Sequence, residues 1–211
     1  MGRSIFDKDE PLSSNVVICV PTNGLVHSRF TYCLVRAITY TQNKGIPVTL
    51  EMDEGTVLSN QRQALQDRAI DELKAEHILW LDSDMTFPPN VIIRLLKHKK
   101  DVICATYSKR VPPFHPTAFQ SINPVRPVDL NHNGLEVVKY AGMGCMLVKA
   151  SIIDHLPSPH YPLQWDAQAH CWHGEDMGFC DQLDKEGIKL YCDLQLSREI
   201  GHVGQQEFLL K

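Results

Sequence analysis

The stretch His77-Ile78-Leu79-Trp80-Leu81-Asp82-Ser83-Asp84 decides how this chain reads. An unbroken apolar run, Ile78 to Leu81, stops at two carboxylates spaced by one residue. A short apolar run bounded by turn formers reads as a strand buried on both faces. At its end the chain leaves extended geometry, so Asp82 and Asp84 can turn toward one point. Paired carboxylates suit Mg²⁺ or Mn²⁺, hard cations that take oxygen ligands and phosphate oxygens alike. A capped turn is the alternative, because Asp and Ser also favour turns and helix starts.

Upstream, the chain alternates. Val16 to Val20 is an apolar run closed by Pro21, and Asn23-Gly24 is a turn. Phe30, Leu34, Ala37, Ile38 and Thr41 recur at helical spacing between Ser28 and Thr41. Gly45-Ile46-Pro47 breaks that helix, and Val48 to Met52 is a second strand. Gly55 to Asn60 reads as a loop, and Gln61 to Lys74 as a helix rich in good formers. Downstream, Pro88-Pro89 opens a helix over Asn90 to His98, and Asp101 to Thr106 is a fourth strand. Such alternation predicts an α/β fold, a mostly parallel sheet with helices on both faces in a single domain. In open sheets of this kind ligands bind at the carboxyl ends of strands. Pro21-Thr22-Asn23, the loop after Met52, and Asp82-Ser83-Asp84 fall there.

The remainder is less regular. Residues 108–133 hold Pro112, Pro113, Pro116, Pro124 and Pro127 and show little periodicity, which predicts a long surface excursion. Strands are expected at Leu135 to Tyr140 and Cys145 to Val148, separated by a Gly142-Met143-Gly144 turn. Ala150 to His155 reads as a short helix, and His160 to His173 is aromatic and His-rich. A helix over Glu175 to Glu186 stops at Gly187, and Leu190 to Leu194 and the stretch near Ile200 finish the core.

Composition bounds the class. The 211 residues suit one domain, and the 43% hydrophobic fraction lies slightly below the usual range. A formal net charge of -4 excludes a chain-wide basic field for nucleic acid or anionic membrane, though not a locally bound acceptor. Seven cysteines, several inside apolar runs, read as free thiols in a reducing compartment, so the expected location is cytoplasmic. No apolar run is long enough to span a bilayer, and residues 1–14 read as a loose polar leader without an apolar signal region.

Two further clusters carry possible chemistry. His173-Gly174-Glu175-Asp176 opens a helix, and adjacent carboxylates there repel and can raise one pKa toward that of a general base. The alternative is simple acid placement at a helix N-terminus. Ile200-Gly201-His202-Val203-Gly204 brackets one His with glycines that permit close backbone approach, consistent with a ligand or with a structural His.

Taken in order, the strand ending in Asp82-Ser83-Asp84, the Gly174-Glu175-Asp176 helix start and the late Gly201-His202 resemble the GT-A class of glycosyltransferases, especially compact family-2-like members with a DXD triplet. The resemblance runs from Val16 to Gly204 and includes Asn60-Gln61-Arg62 and Met85-Thr86-Phe87-Pro88-Pro89. It implies a GT-A, Rossmann-like domain over residues 15–211, with a nucleotide-binding half (15–107) and an acceptor and catalytic half (108–211). It implies transfer of a sugar from a nucleotide-sugar donor, by default a UDP-sugar, to an acceptor hydroxyl, with Mn²⁺ or Mg²⁺ as cofactor. Asp84 and His202 would hold the metal, and Asp82 would lie beside the nucleotide and also reach the metal. Pro21, Thr22, Asn23, Arg62, Ser83 and Gly144 would line the nucleotide-sugar site. Asp176, with Glu175 beside it, would be catalytic. The loop with Ser108, Lys109 and Arg110 would close over the donor. The acceptor stays open: a glycan, lipid-linked sugar, small molecule, protein or modified DNA base.

Rival readings exist. Asp82-Ser83-Asp84-Met85-Thr86 also resembles the first motif of haloacid-dehalogenase-type phosphatases, with Asp82 as nucleophile. A sugar-phosphate nucleotidyltransferase uses a similar sheet and metal, but Pro21 to Leu25 is a poor version of its Gly-rich loop. A non-enzymatic binding module with decayed sites is a third, and Cys171, His173 and Cys180 are irregularly spaced zinc candidates.

Overall fold

The computed structural model of the protein describes residues 14–110, 112–167 and 170–204. The alternating half forms β1 (Val16–Thr22), α1 (Ser28–Gln42), β2 (Val48–Glu54), α2 (Leu58–Asp67), β3 (His77–Leu81), β4 (Met85–Thr86), α3 (Val91–Lys97) and β5 (Val102–Cys104). The second half adds strands β6 (Ala118–Ile122), β7 (Val125–Pro127), β8 (Leu135–Val138), β9 (Tyr140–Ala141) and β10 (Cys145–Lys149). Then come β11 (Gln164–Asp166), β12 (Cys171–His173), α4 (Glu175–Lys185), β13 (Leu190–Asp193), α5 (Leu194–Ser197) and β14 (Gly201–His202).

The main sheet has seven strands in the order β2-β1-β3-β10-β5-β13-β8. β1 pairs in parallel with β2 and β3, and β5 with β13, while β10 and β8 run against their neighbours. The sheet is therefore mainly parallel. Its apolar runs bury both faces, as alternation of side chains demands. Val17, Cys19, Ile78, Trp80 and Met146 meet Leu65 of α2, Ala69 of the π-helical turn that follows it, and Phe179 and Leu183 of α4. Ile18, Val20, Leu79, Leu81 and Leu147 meet Phe30 and Leu34 of α1 and Val91, Ile92 and Leu95 of α3.

Register positions the polar residues. Val16 opposes His77 and Cys19 opposes Trp80, so the same register continued puts Pro21 and Thr22 level with Asp82 and Ser83. β10 runs antiparallel to β3 with Cys145 opposite Leu81, which brings the preceding Gly144 to the end where Asp82 emerges. A second short ladder sets His202 opposite Met85 and Gly201 opposite Thr86. A Cβ at position 201 would run into Thr86 Oγ1, so any larger residue there would have to turn that hydroxyl aside.

Several expectations change. The excursion at 108–133 is partly folded: β7, β6 and β9 make a three-stranded sheet, with Ala118 and Val128 in the core. Its prolines hid this, yet they fall outside the strands or at the end of β7, where a missing donor is tolerated. The helix expected from Gln61 starts at Leu58 and continues as a π-helical turn, Arg68–Glu72. The aromatic stretch before Glu175 is the hairpin of β11 and β12. Ser14, expected in a loose leader, is buried with its hydroxyl 2.7 Å from His77 Nδ1. The rest of that leader, residues 1–13, lies outside the described residues. Among the described residues no helix is long and apolar enough to cross a membrane.

The helix that carries Glu175 and Asp176 is seated by a glycine. A Cβ at Gly178 would stand 2.0 Å from the Pro162 carbonyl oxygen. Gly178→Ala should therefore lower unfolding free energy by about 3 kcal/mol, the upper end of overpacking costs. Urea midpoints check this, and a wild-type midpoint would contradict the close approach.

Candidate functional site

α2 points Arg62 into the protein, where it is 1% exposed. Its Nη2 donates to Asp82 Oδ1 at 3.0 Å and its Nε to Glu175 Oε1 at 3.1 Å. The guanidinium also lies over Trp80, 5.2 Å from the ring centroid. Removing a lone cation from water costs several kcal/mol, so two carboxylates from distant elements converge on it. Burial opposes the charge, but Asp82 and Glu175 outweigh it and hold Arg62 firmly protonated. Nη1 is buried with no hydrogen-bond partner among the described residues.

This arrangement separates the acids. Glu175 is buried and engaged by Arg62. Asp82 Oδ1 is held by Arg62, while Oδ2 lies against Gly144, where a Cβ would come within 2.8 Å of it. Asp176 is partly buried, and its Oδ1 accepts from the Met177 backbone N–H at 2.8 Å. Burial raises the Asp176 carboxyl above the ordinary value, and Glu175 adds to this, against the pull of Met177 N–H and Arg62.

Asp84 lies on the other side of the triplet. Its Oδ2 is 3.5 Å from His202 Nε2 and 2.8 Å from Arg110 Nη1. Val203 N donates to the Asp84 backbone carbonyl, so the β14 strand is fixed beside it. His202 Nδ1 lies 3.0 Å from the Ser108 carbonyl, which requires a proton on Nδ1 and aims Nε2 at Asp84. Burial would raise the Asp84 carboxyl, but the His202 hydrogen bond and the charges of His202 and Arg110 bring it below the ordinary range. His202 is raised in turn by its bond to Asp84.

The β1 end supplies a floor. Pro21 is buried, Thr22 half-buried and Asn23 exposed. Gln61 Nε2 donates to the carbonyls of Thr22 (2.8 Å) and Asp53 (2.7 Å), tying the ends of β1 and β2. The Ser83 carbonyl accepts from His27 N, anchoring the triplet to the start of α1.

Tyr107 escaped the sequence reading. Its hydroxyl accepts from Gly144 N at 3.2 Å, and its ring meets His202 edge-on at 5.1 Å. It thus links the Gly142–Gly144 turn to the Asp84–His202 pair. Nothing in one dimension marks a lone Tyr after an apolar run. The zinc candidates do not converge: Cys171 is exposed, while Cys180 is buried with its thiol toward the Ala141 carbonyl. Among the described residues no group of three or more His, Cys, Asp or Glu side chains gathers as a metal cluster.

No protein-family model matches the chain, and no curated protein matches it in sequence. Solved structures do match. The crystal structure of A197 from STIV is 13% identical with a TM-score of 0.57, covering 93% of this chain and 98% of that one. A mutant Drosophila β-1,4-galactosyltransferase 7, solved with manganese, UDP-Gal and xylobiose, is 9% identical with a TM-score of 0.52, covering 90% and 71%. S. aureus TarS with UDP-GlcNAc aligns at 12% identity and a TM-score of 0.49, and the chain spans only 60% of that structure. The likeness shows the fold, which is GT-A-like.

The raised Asp176 carboxyl has a consequence for stability. The folded chain holds that proton more tightly than the unfolded chain does, so stability falls as pH rises from 3.8 through the higher folded value. Asp176→Asn should therefore be more stable than wild type at pH 7, with the gain shrinking toward pH 3. Urea midpoints across that range decide it, and a destabilised Asn variant at pH 7 would contradict the burial argument.

Proposed function

We propose that the chain is a metal-dependent glycosyltransferase that moves a sugar from a nucleotide-sugar donor, by preference a UDP-sugar, to an acceptor hydroxyl. One observation carries this reading. On a GT-A-like fold, a carboxylate and an imidazole converge at the carboxyl end of a mid-sheet strand, and the Arg110 guanidinium sits on that carboxylate. The residues fit Mn²⁺ or Mg²⁺: one Asp oxygen and one oriented His nitrogen leave the remaining positions to water and to donor phosphates. The bound cation would supply charge neutralisation for the diphosphate leaving group.

The chain's own residues do the rest. Asp84 and His202 hold the cation. Asp82, fixed by Arg62, faces the nucleotide-sugar rather than the cation. Arg62 acts as a positioning residue, because it is buried behind Asp82 and Glu175. Pro21, Thr22, Asn23 and Ser83 line the nucleotide side, and Gly144 lets the donor sugar approach the backbone. Asp176 takes the acceptor proton, its raised carboxyl nearer to working pH than an ordinary aspartate. Residues 15–107 serve the nucleotide and 108–211 the acceptor. The buried thiols of Cys19, Cys104, Cys145, Cys180 and Cys192 favour a reducing, cytoplasmic setting. The phosphatase alternative is weaker, since Asp82 Oδ1 is committed to Arg62 and is a poor nucleophile there.

Calorimetric titration of UDP and UDP-sugars with and without Mn²⁺ tests the reading. Wild type should bind in a Mn²⁺-dependent way, and Asp84→Ala should lose that dependence while unfolding like wild type. Asp176→Asn should keep donor affinity and lose roughly 10²–10⁴-fold in kcat, as a general base does. Donor binding indifferent to Mn²⁺ in wild type, or full turnover in Asp176→Asn with inverted product, would contradict the assignments.

A further inference from the structure

The hairpin that precedes the Asp176 helix is unusual for what it leaves in solvent. Trp165 is 50% exposed and Trp172 65%, and Leu163 just before them is 53% exposed. Trp165 and Trp172 are direct partners across the two strands, so they stand on one face of the hairpin. Their ring centroids are 5.4 Å apart at an interplanar angle of 61°, and His170 packs edge-on against Trp165. Side chains of this size in water cost free energy, and a contiguous exposed aromatic pair marks a binding surface. The third tryptophan, Trp80, shows the ordinary outcome: it is fully buried under Arg62.

Location narrows the occupant. β12 ends at His173, and Trp172 stands four residues before Asp176, so roughly 14 Å at most separate their Cα atoms. The hairpin is braced for this position: His173 Nε2 lies 3.5 Å from Asp166 Oδ2, and Gly174 keeps the Asp176 carboxylate within 2.8 Å of where a Cβ would stand. Charge narrows it further. Between Lys149 and Lys185 the chain has no Lys or Arg, but it has Asp154, Asp166, Glu175, Asp176, Asp181 and Asp184. Glu175 is neutralised by Arg62 and Asp184 by Lys139, but a nucleic acid or an anionic lipid headgroup needs cations to neutralise its phosphates, and this segment supplies no Lys or Arg for them. A neutral sugar ring needs none. It offers an apolar C–H face to an electron-rich indole.

We propose that Trp165 and Trp172 form the acceptor platform, and that the acceptor is an uncharged glycan whose sugar rings stack there and extend to Asp176. This assignment rests on the glycosyltransferase reading for its role, but the contact itself does not. Trp165 and Trp172, one from each strand, set two indole surfaces side by side, which favours an oligosaccharide over a single sugar.

The three indole N–H groups give a direct test in ¹⁵N-labelled wild-type protein, without donor or metal. The probes are neutral hexasaccharides of xylose, mannose, glucose, galactose and N-acetylglucosamine, a single-stranded oligothymidylate and phosphatidylglycerol vesicles. At least one hexasaccharide should move the Trp165 and Trp172 signals and leave Trp80 in place. Neutral sugars that leave both signals unmoved, or a polyanion that moves them instead, would overturn the proposal. With the responding sugar as acceptor, Trp172→Ala should raise its KM about tenfold or more with donor hydrolysis by water unchanged; an unchanged KM would equally overturn it. Absence of UDP-sugar binding alongside sugar-induced indole shifts would sink the glycosyltransferase reading and leave the platform standing.

Discussion

The organisation of the site depends on one buried cation. Arg62 lies out of water between Asp82 and Glu175, residues that the chain brings from the end of β3 and the start of α4. A guanidinium in that position demands opposite charge, and the fork of Nη2 and Nε dictates where the two carboxylates stand. Four acidic side chains crowd this end of the sheet. Arg62 pairs with two of them, while Asp84 is met by His202 and Arg110 and Asp176 is held by the Met177 backbone N–H. Without that pairing the acids would repel one another.

The remaining contacts divide the labour. On one side Asp84 meets His202, whose ring is oriented by the Ser108 carbonyl and packed by Tyr107. On the other side Asp176 sits at the head of a helix wedged against the Pro162 carbonyl through Gly178. Arg110 ties the chain just after Tyr107 to Asp84 and to the Val203 carbonyl.

Much of this was legible in one dimension because it is written in local patterns. Short apolar runs bounded by turn formers, such as Val16–Val20 and Ile78–Leu81, read as strands with two buried faces and are strands, and α1 follows its spacing from Ser28 nearly to the residue. The triplet, the Glu-Asp pair and the late Gly-His were visible because polar residues that interrupt apolar patterns stand out. What stayed hidden was pairing. Nothing in the string shows that Glu175, and not Asp176, is the partner of Arg62, because the two elements lie 113 residues apart. Tyr107 and Gln61 look unremarkable alone and gain their roles only through Gly144, Thr22 and Asp53. The 118–127 hairpin was masked by prolines that the fold places at its edges and turn.

The proposed function divides the carboxylates: it would place a cation between Asp84 and His202, while Asp82 and Glu175 pair with Arg62. Anomalous scattering from Mn²⁺ in crystals grown with UDP measures this most directly. The account predicts a single strong manganese peak within coordination distance of Asp84 Oδ2 and His202 Nε2, with Arg110 withdrawn and Arg62 unmoved. A manganese peak bound by Asp82 or Glu175 with Arg62 displaced, or none near His202, would contradict it.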